Sequence, residues 1–228
     1  MTVTSTTLFR AAAAAAALAG LIFIGVQINH PYLDATSITT TDAMTRGSLK
    51  MFMAALALVG LTGIYLRQVT KVGVLGLLGY VLFAAGYLSM FGTEFVAALV
   101  LPSIAHTANA YTNNVIAFAV NRPTTGDIGL MHTAILFTGV TYVAGGFIFA
   151  IALFRANVLA RWAAVLLGLG TLATIAVGLV PQYERLFAFP TGLALVALGY
   201  SLWRDQRGPA AQSVLNPVSS RLDAVGAK

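Results

Sequence analysis

VGVLGLLGYVLFAAGYLSMFGTEFVAALVL, residues 72–101, is an apolar run of 30 residues that carries one charged side chain, Glu94. As a single helix it would extend about 45 Å, well beyond the roughly 30 Å of a hydrocarbon core. The run is therefore expected to cross a membrane, with an outer end that tilts, projects or kinks. Glu94 falls in that outer third, near the lipid–water boundary. A carboxyl group in or beside lipid needs a partner or a proton, and intramembrane acids mark functional sites by default.

The rest of the chain has the same character. Of its 228 residues, 58% are hydrophobic and 9% charged, which is too few charges to cover a water-facing surface of this size. The sequence predicts an all-α, polytopic membrane helical bundle with six transmembrane helices. Their expected bounds are Phe9–Ile28, Leu49–Leu66, Val72–Leu101, Leu130–Phe154, Arg161–Val180 and Leu186–Trp203. The first of them, led by Arg10 and an alanine-rich stretch, has the length of an uncleaved span rather than of a secretory signal. Residues 1–208 form the membrane domain and 209–228 a flexible cytoplasmic tail.

Six spans put both termini on one side. Arg10, Arg67, Lys71, Arg155, Arg161, Arg204, Arg207, Arg221 and Lys228 fall on that side, and Arg46, Lys50, Arg122 and Arg185 on the other. This bias predicts a multi-pass protein of the cell membrane with cytoplasmic termini. The net charge of +6 then reads as topology, and no basic face or aromatic-interleaved basic stretch suggests nucleic acid. Cysteine is absent, which excludes disulfides and thiolate chemistry.

The connections on the terminal side are short, at Arg67–Lys71 and Arg155–Leu159, whereas those on the outer side run from Asn29 to Ser48 and from Pro102 to Gly129, with a tight third turn at Gln182–Arg185. Long loops on one face locate the specialised surface there. Pro31 should end the first helix and leave carbonyls open to side-chain donors, while Thr41 or Asp42 could cap the turn into the second span. In the second outer connection, Ile104, Ala108, Tyr111, Val115 and Phe118 are spaced as one face of an additional interfacial helix over Ser103–Val120, either a lid or a surface helix. The glycines form no phosphate loop, and no metalloprotease motif occurs; pairs such as Gly73 and Gly76 read as packing or bending positions.

Several side chains could carry chemistry. Helical spacing puts Tyr87, Met90, Phe91 and Ala98 on or near the face of Glu94. Desolvation disfavours a charged carboxylate among such groups, so the acid is a candidate proton donor to an apolar substrate. Pairing with Arg46, Lys50, Arg122 or Arg185 is the competing reading. Asp34 is a second candidate acid, with His30 close by, although a capping turn explains it equally. Tyr111, Asn113 and Asn114 could orient a substrate, and Arg46 and Lys50 could meet a headgroup. His30, His106 and His132 form no short ligand cluster and the methionines read as core filler, so no metal or cofactor is expected.

Glu94 in YLSMFGTEF and Asp34 in NHPYLDA, with Tyr87, Phe91, Phe95 and Tyr142, give the chain a layout that resembles the small membrane-bound terpene cyclases acting on prenylated indole or polyketide acceptors. The resemblance implies metal-free cyclisation of an isoprenoid or prenylated substrate begun by protonation of an alkene or epoxide. It would make Glu94 the general acid and Asp34 its proton partner. Members of that family commonly carry seven spans, against six here. A protein that binds or transports a lipid-like small molecule would use the same pocket without proton transfer. A structural membrane subunit would instead present an exposed small-residue seam for oligomer formation. The expected partners are membrane lipids and an apolar small molecule.

Overall fold

The computed structural model describes residues 4–175 and 186–206. The turn expected at 182–185, with Glu184 and Arg185, and the tail at 209–228 lie outside the described residues. Every regular element described is helical. In order they are α1 (Ser5–Gly25), a 3-10 turn (Ser37–Thr39), α2 (Thr41–Phe95), a π-helical turn (Val96–Val100), α3 (Leu101–Ile104), α4 (Asn109–Ala119), α5 (Leu130–Ala156), α6 (Arg161–Ala173) and α7 (Ala188–Asp205). Three stretches, Ser5–Gly25, Thr41–Ile104 and Leu130–Ala156, are long and apolar enough to cross a membrane, and α6 is a shorter apolar helix.

The longest stretch is folded back on itself. Gly73 sits at φ 58° and ψ −161° inside α2, a conformation open to glycine and to almost nothing else. The ring of Tyr65 stacks on that of Tyr80 at 4.5 Å, and Thr62 Oγ1 lies 2.9 Å from the Tyr80 hydroxyl. In a straight helix residues 62 and 80 would be about 27 Å apart. Residues 41–72 and 74–95 are thus two antiparallel arms joined at one glycine. The loop expected at Arg67–Lys71 is helix instead, because Arg, Gln and Lys are good helix formers and their charged ends can reach outward while the backbone stays paired.

Small residues set the packing around this hairpin. α1 lies antiparallel to the first arm, and a methyl group added at Gly60 would come within 2.7 Å of Ala16. The buried alanines 12, 13, 16 and 19 form that smooth contact and also meet α7, whose Gly199 lies against Ala13 and Ala17. α5 runs antiparallel to the second arm, with Gly86 against the Tyr142 backbone. At the terminal end Arg67 makes a two-pronged ion pair with Asp205, including Nη2 to Oδ1 at 3.2 Å, which ties the first arm to the end of α7.

Two separate apolar clusters result. The larger fills the bundle and contains Met53, Leu61, Phe83, Tyr87, Tyr142, Phe149, Leu167 and Leu198. The smaller lies under the outer connections and contains Ala35, Ile38, Leu101, Ala105, Val115, Ile116 and Ile128. The helix expected over Ser103–Val120 is split, with α3 ending at Ile104 and α4 starting at Asn109. α4 turns Val115 and Ile116 into the smaller cluster, so it covers the bundle end rather than extending the second arm.

Candidate functional site

Glu94 occupies the last turn of the second arm. Immediately beyond it the backbone changes register, and Leu101 N–H donates to Val96 O in a five-residue rather than four-residue step. Pro102 has no N–H to continue the usual ladder, which makes the wider turn less costly here. At the same level Gly47 of the first arm meets Ala98, and a methyl at Gly47 would lie 2.9 Å from Ala98 Cβ. This close approach carries Lys50, three residues further along the first arm, across to Glu94.

Lys50 Nζ lies 3.9 Å from Glu94 Oε1, and the two side chains retain 22% and 23% of their exposure. They line a cavity of about 320 Å³ between the two apolar clusters. Met90 and Thr93 of the second arm, Ala97 of the π-helical turn and Met131, Ile135 and Thr138 of α5 form its inner wall. Leu33, Ile38, Leu101, Val115, Ile116 and Val120 form its roof. Thr93 Oγ1 already donates to Met90 O at 3.1 Å, and Thr138 Oγ1 is engaged with Ala134 O at 2.8 Å and Ser89 Oγ at 2.6 Å. Lys50 and Glu94 are therefore the polar pair facing the cavity with capacity for a further bond. Their separation is too long for a direct hydrogen bond and short enough for one oxygen to touch both.

The roof is fixed by two asparagines. Asn113 Oδ1 accepts from Ala35 N at 2.8 Å, which fastens α4 to the first outer loop, and its Nδ2 is steadied within α4 by donating to Asn109 Oδ1 at 2.9 Å. Asn114 Oδ1 accepts from Thr125 N at 2.7 Å and Gly126 N at 3.3 Å, which fastens α4 to the second. Both residues thus hold the cover in place, and neither lines the cavity. Tyr111 packs at the margin of the outer cluster.

The other residues singled out in the sequence are dispersed. The Asp34 carboxylate, fully at the surface, accepts from Ser37 N at 2.7 Å and Thr36 N at 2.8 Å. These backbone donors, Ser37 first, hold its acidity below the ordinary carboxylate range. It is a turn-forming group, and Leu33 rather than Asp34 lines the cavity. His30 Nδ1 contacts Pro31 O at 2.8 Å. Arg46 binds Asp42 through Nε at 2.9 Å, and its Nη1 donates to Val26 O at 3.1 Å and Ile28 O at 2.9 Å. Those are the carbonyls released where α1 stops ahead of Pro31, so Arg46 serves the helix end. The cap of α2 is Thr40, whose Oγ1 accepts from Ala43 N at 3.3 Å, one residue before the expected position.

Tyr87 is fully buried in an aromatic cluster, 5.0 Å from the Phe83 ring and 5.5 Å from the Tyr142 ring, and Phe91 packs against the bundle core. Neither lines the cavity. Thr93, Ala97, Met131 and Ile135, which the sequence reading passed over, do. Ala97 was detectable as the residue three positions after Glu94 on the same helical face, in place of Ala98, which is spent on the contact with Gly47. His106 and His132 are exposed, and among the described residues no group of three or more His, Asp or Glu is placed to hold a metal. No family model, curated protein or solved structure matches the chain.

Proposed function

We propose that this chain is a multi-pass membrane protein that holds a lipid-like small molecule with a hydroxyl head, of the isoprenoid-alcohol type, beneath its outer cover. The observation that carries this reading is the 3.9 Å spacing of Lys50 Nζ and Glu94 Oε1 at the wall of an otherwise apolar cavity. A hydroxyl between them accepts from the ammonium and donates to the carboxylate, while the apolar tail lies against Met90, Met131 and Ile135. The volume is at the lower end of the roughly 300–1,000 Å³ of small-molecule sites.

The same site supports acid-initiated cyclisation less well. That chemistry needs a carboxylic acid proton aimed at an alkene, and the near neighbour of Glu94 is a cation; the second acid, Asp34, is engaged in its own turn. In this reading both arms of α2 cross the membrane, six crossings in all, with the termini on the cytoplasmic side.

Tritiated farnesol binding to the protein in nanodiscs, corrected for empty discs, tests the proposal. Lys50→Met should weaken it at least about tenfold, the loss of one hydrogen bond to a charged group. The hydrocarbon lacking the hydroxyl should bind far more weakly than farnesol. Equal binding of alcohol and hydrocarbon, or full binding by Lys50→Met, would contradict the reading. Recovery of a cyclised product, abolished by Glu94→Gln, would return the assignment to the cyclase.

A further inference from the structure

At the opposite end of the bundle the reversal at Gly73 opens a second cavity, of about 300 Å³, between the α2 hairpin and α5. Lys71 and Arg155 both line it, from different helices, and no acidic side chain does. Neither cation has an ion-pair or hydrogen-bond partner among the described residues, whereas Arg67 on the same face is held by Asp205. The second arm starts at this break while the first arm and α5 both end beside it, so the helix dipoles do not favour an anion and the positive charge of the cavity comes from the two side chains. Two cations from different helices converge on one space with no acidic side chain.

We propose that this cavity binds the phosphodiester headgroup of an anionic phospholipid. The shared chemistry is a phosphate anion, which inorganic phosphate also offers, but the surroundings favour a lipid. Val74 stands 83% exposed beside the cations, and Val72 and Ala152 complete an apolar wall on which glycerol and the first acyl carbons rest. Basic pockets between membrane helices recognise acidic headgroups in this way, and inter-helical placement separates such a site from the general cationic bias of a cytoplasmic face. The site is independent of the outer cavity and does not rest on the hydroxyl ligand proposed there.

Thermal unfolding of the full chain in nanodiscs of phosphatidylcholine, with and without a fraction of phosphatidylglycerol, tests it. Phosphatidylglycerol should raise the melting temperature of the natural protein. Lys71→Gln combined with Arg155→Gln should abolish the rise, while Arg10→Gln combined with Arg204→Gln, an equal loss of charge outside the cavity, should keep it. Lys71→Arg with Arg155→Lys should also keep it, which separates lost charge from lost folding. No rise in the natural protein, or equal rises in the two charge-loss variants, would overturn the site. An equal rise from millimolar inorganic phosphate in pure phosphatidylcholine, removing the preference for phosphatidylglycerol, would overturn the lipid as its occupant.

Discussion

At the scale of single residues, the chain uses its few charges in distinct ways. Arg46 is consumed by the end of α1, Arg67 by Asp205, and Asp34 by its own turn, which leaves Lys50 and Glu94 as the pair turned toward an apolar space. Asp34 gives a pH prediction. Its acidity is strengthened in the folded protein, so its stabilising contribution is present above the unfolded value near 3.8 and is lost as pH falls through the still lower folded value. Natural protein should therefore exceed Asp34→Asn in stability at pH 6 by less than about 1 kcal/mol, given the exposed position, and the difference should be smaller at a pH below 3.8. Thermal unfolding at the two pH values checks this. Much of this scale was hidden from the sequence, since the bond from Ala35 to Asn113 spans 78 positions and has no local signature. Arg46 was closer to legible, because Pro31 announces free carbonyls, yet which of several cations answers them is decided by folding.

At the scale of elements, the decisive feature is a helix reversal at one residue. The apolar runs were readable because each is continuous and bounded by charge. Their joint was not, because Arg67–Lys71 looks like a loop by charge and is helix by propensity. Gly73 was visible as a flexible position, but nothing local distinguishes a bend from a full reversal. Gly73→Ala should destabilise the protein by about 1–3 kcal/mol through backbone strain alone, since the added methyl has open space around it. Gly139→Ala, likewise in open space but within α5, should be neutral or slightly stabilising. Comparing the two unfolding midpoints checks the assignment. The outer cover is a second such case: amphipathy located α4, and the break at 105–108 and the two asparagine ties came only with the tertiary contacts.

At the scale of the whole molecule, lipid is the expected solvent and the two ends differ in chemistry. The outer end adds a covered cavity with one polar pair, and the terminal end adds a cationic face around the hairpin reversal. The absence of cysteine makes sidedness directly measurable with introduced thiols. Cysteines placed at Ser5 and Asn157 should react with an impermeant maleimide from the cytoplasmic side, and one at Asn121 from the outside. Labelling of Ser5 and Asn121 positions from the same side would refute the arrangement. The all-α class and the apolar helices were legible from composition, and Glu94 was legible as an acid inside an apolar run. Lys50 was one of four cations that could reach it and Met90 was on its face, but the choice among the cations and the rest of the walls were not legible, because they belong to four different helices and meet only through the close approach of Gly47 and Ala98.

The cavity beside Glu94 is not the largest apolar space in the molecule; a groove of about 470 Å³ between α1 and the first arm, lined by Leu8, Phe9, Leu58 and Leu66, exceeds it but offers hardly any polar group. Photo-crosslinking with a diazirine-bearing farnesol analogue, mapped by peptide mass spectrometry, decides between them. Label should fall on residues 90–97, 115–120 and 131–138 and disappear in Lys50→Met. Label confined to residues 5–12 and 58–66, unchanged in that variant, would contradict the account.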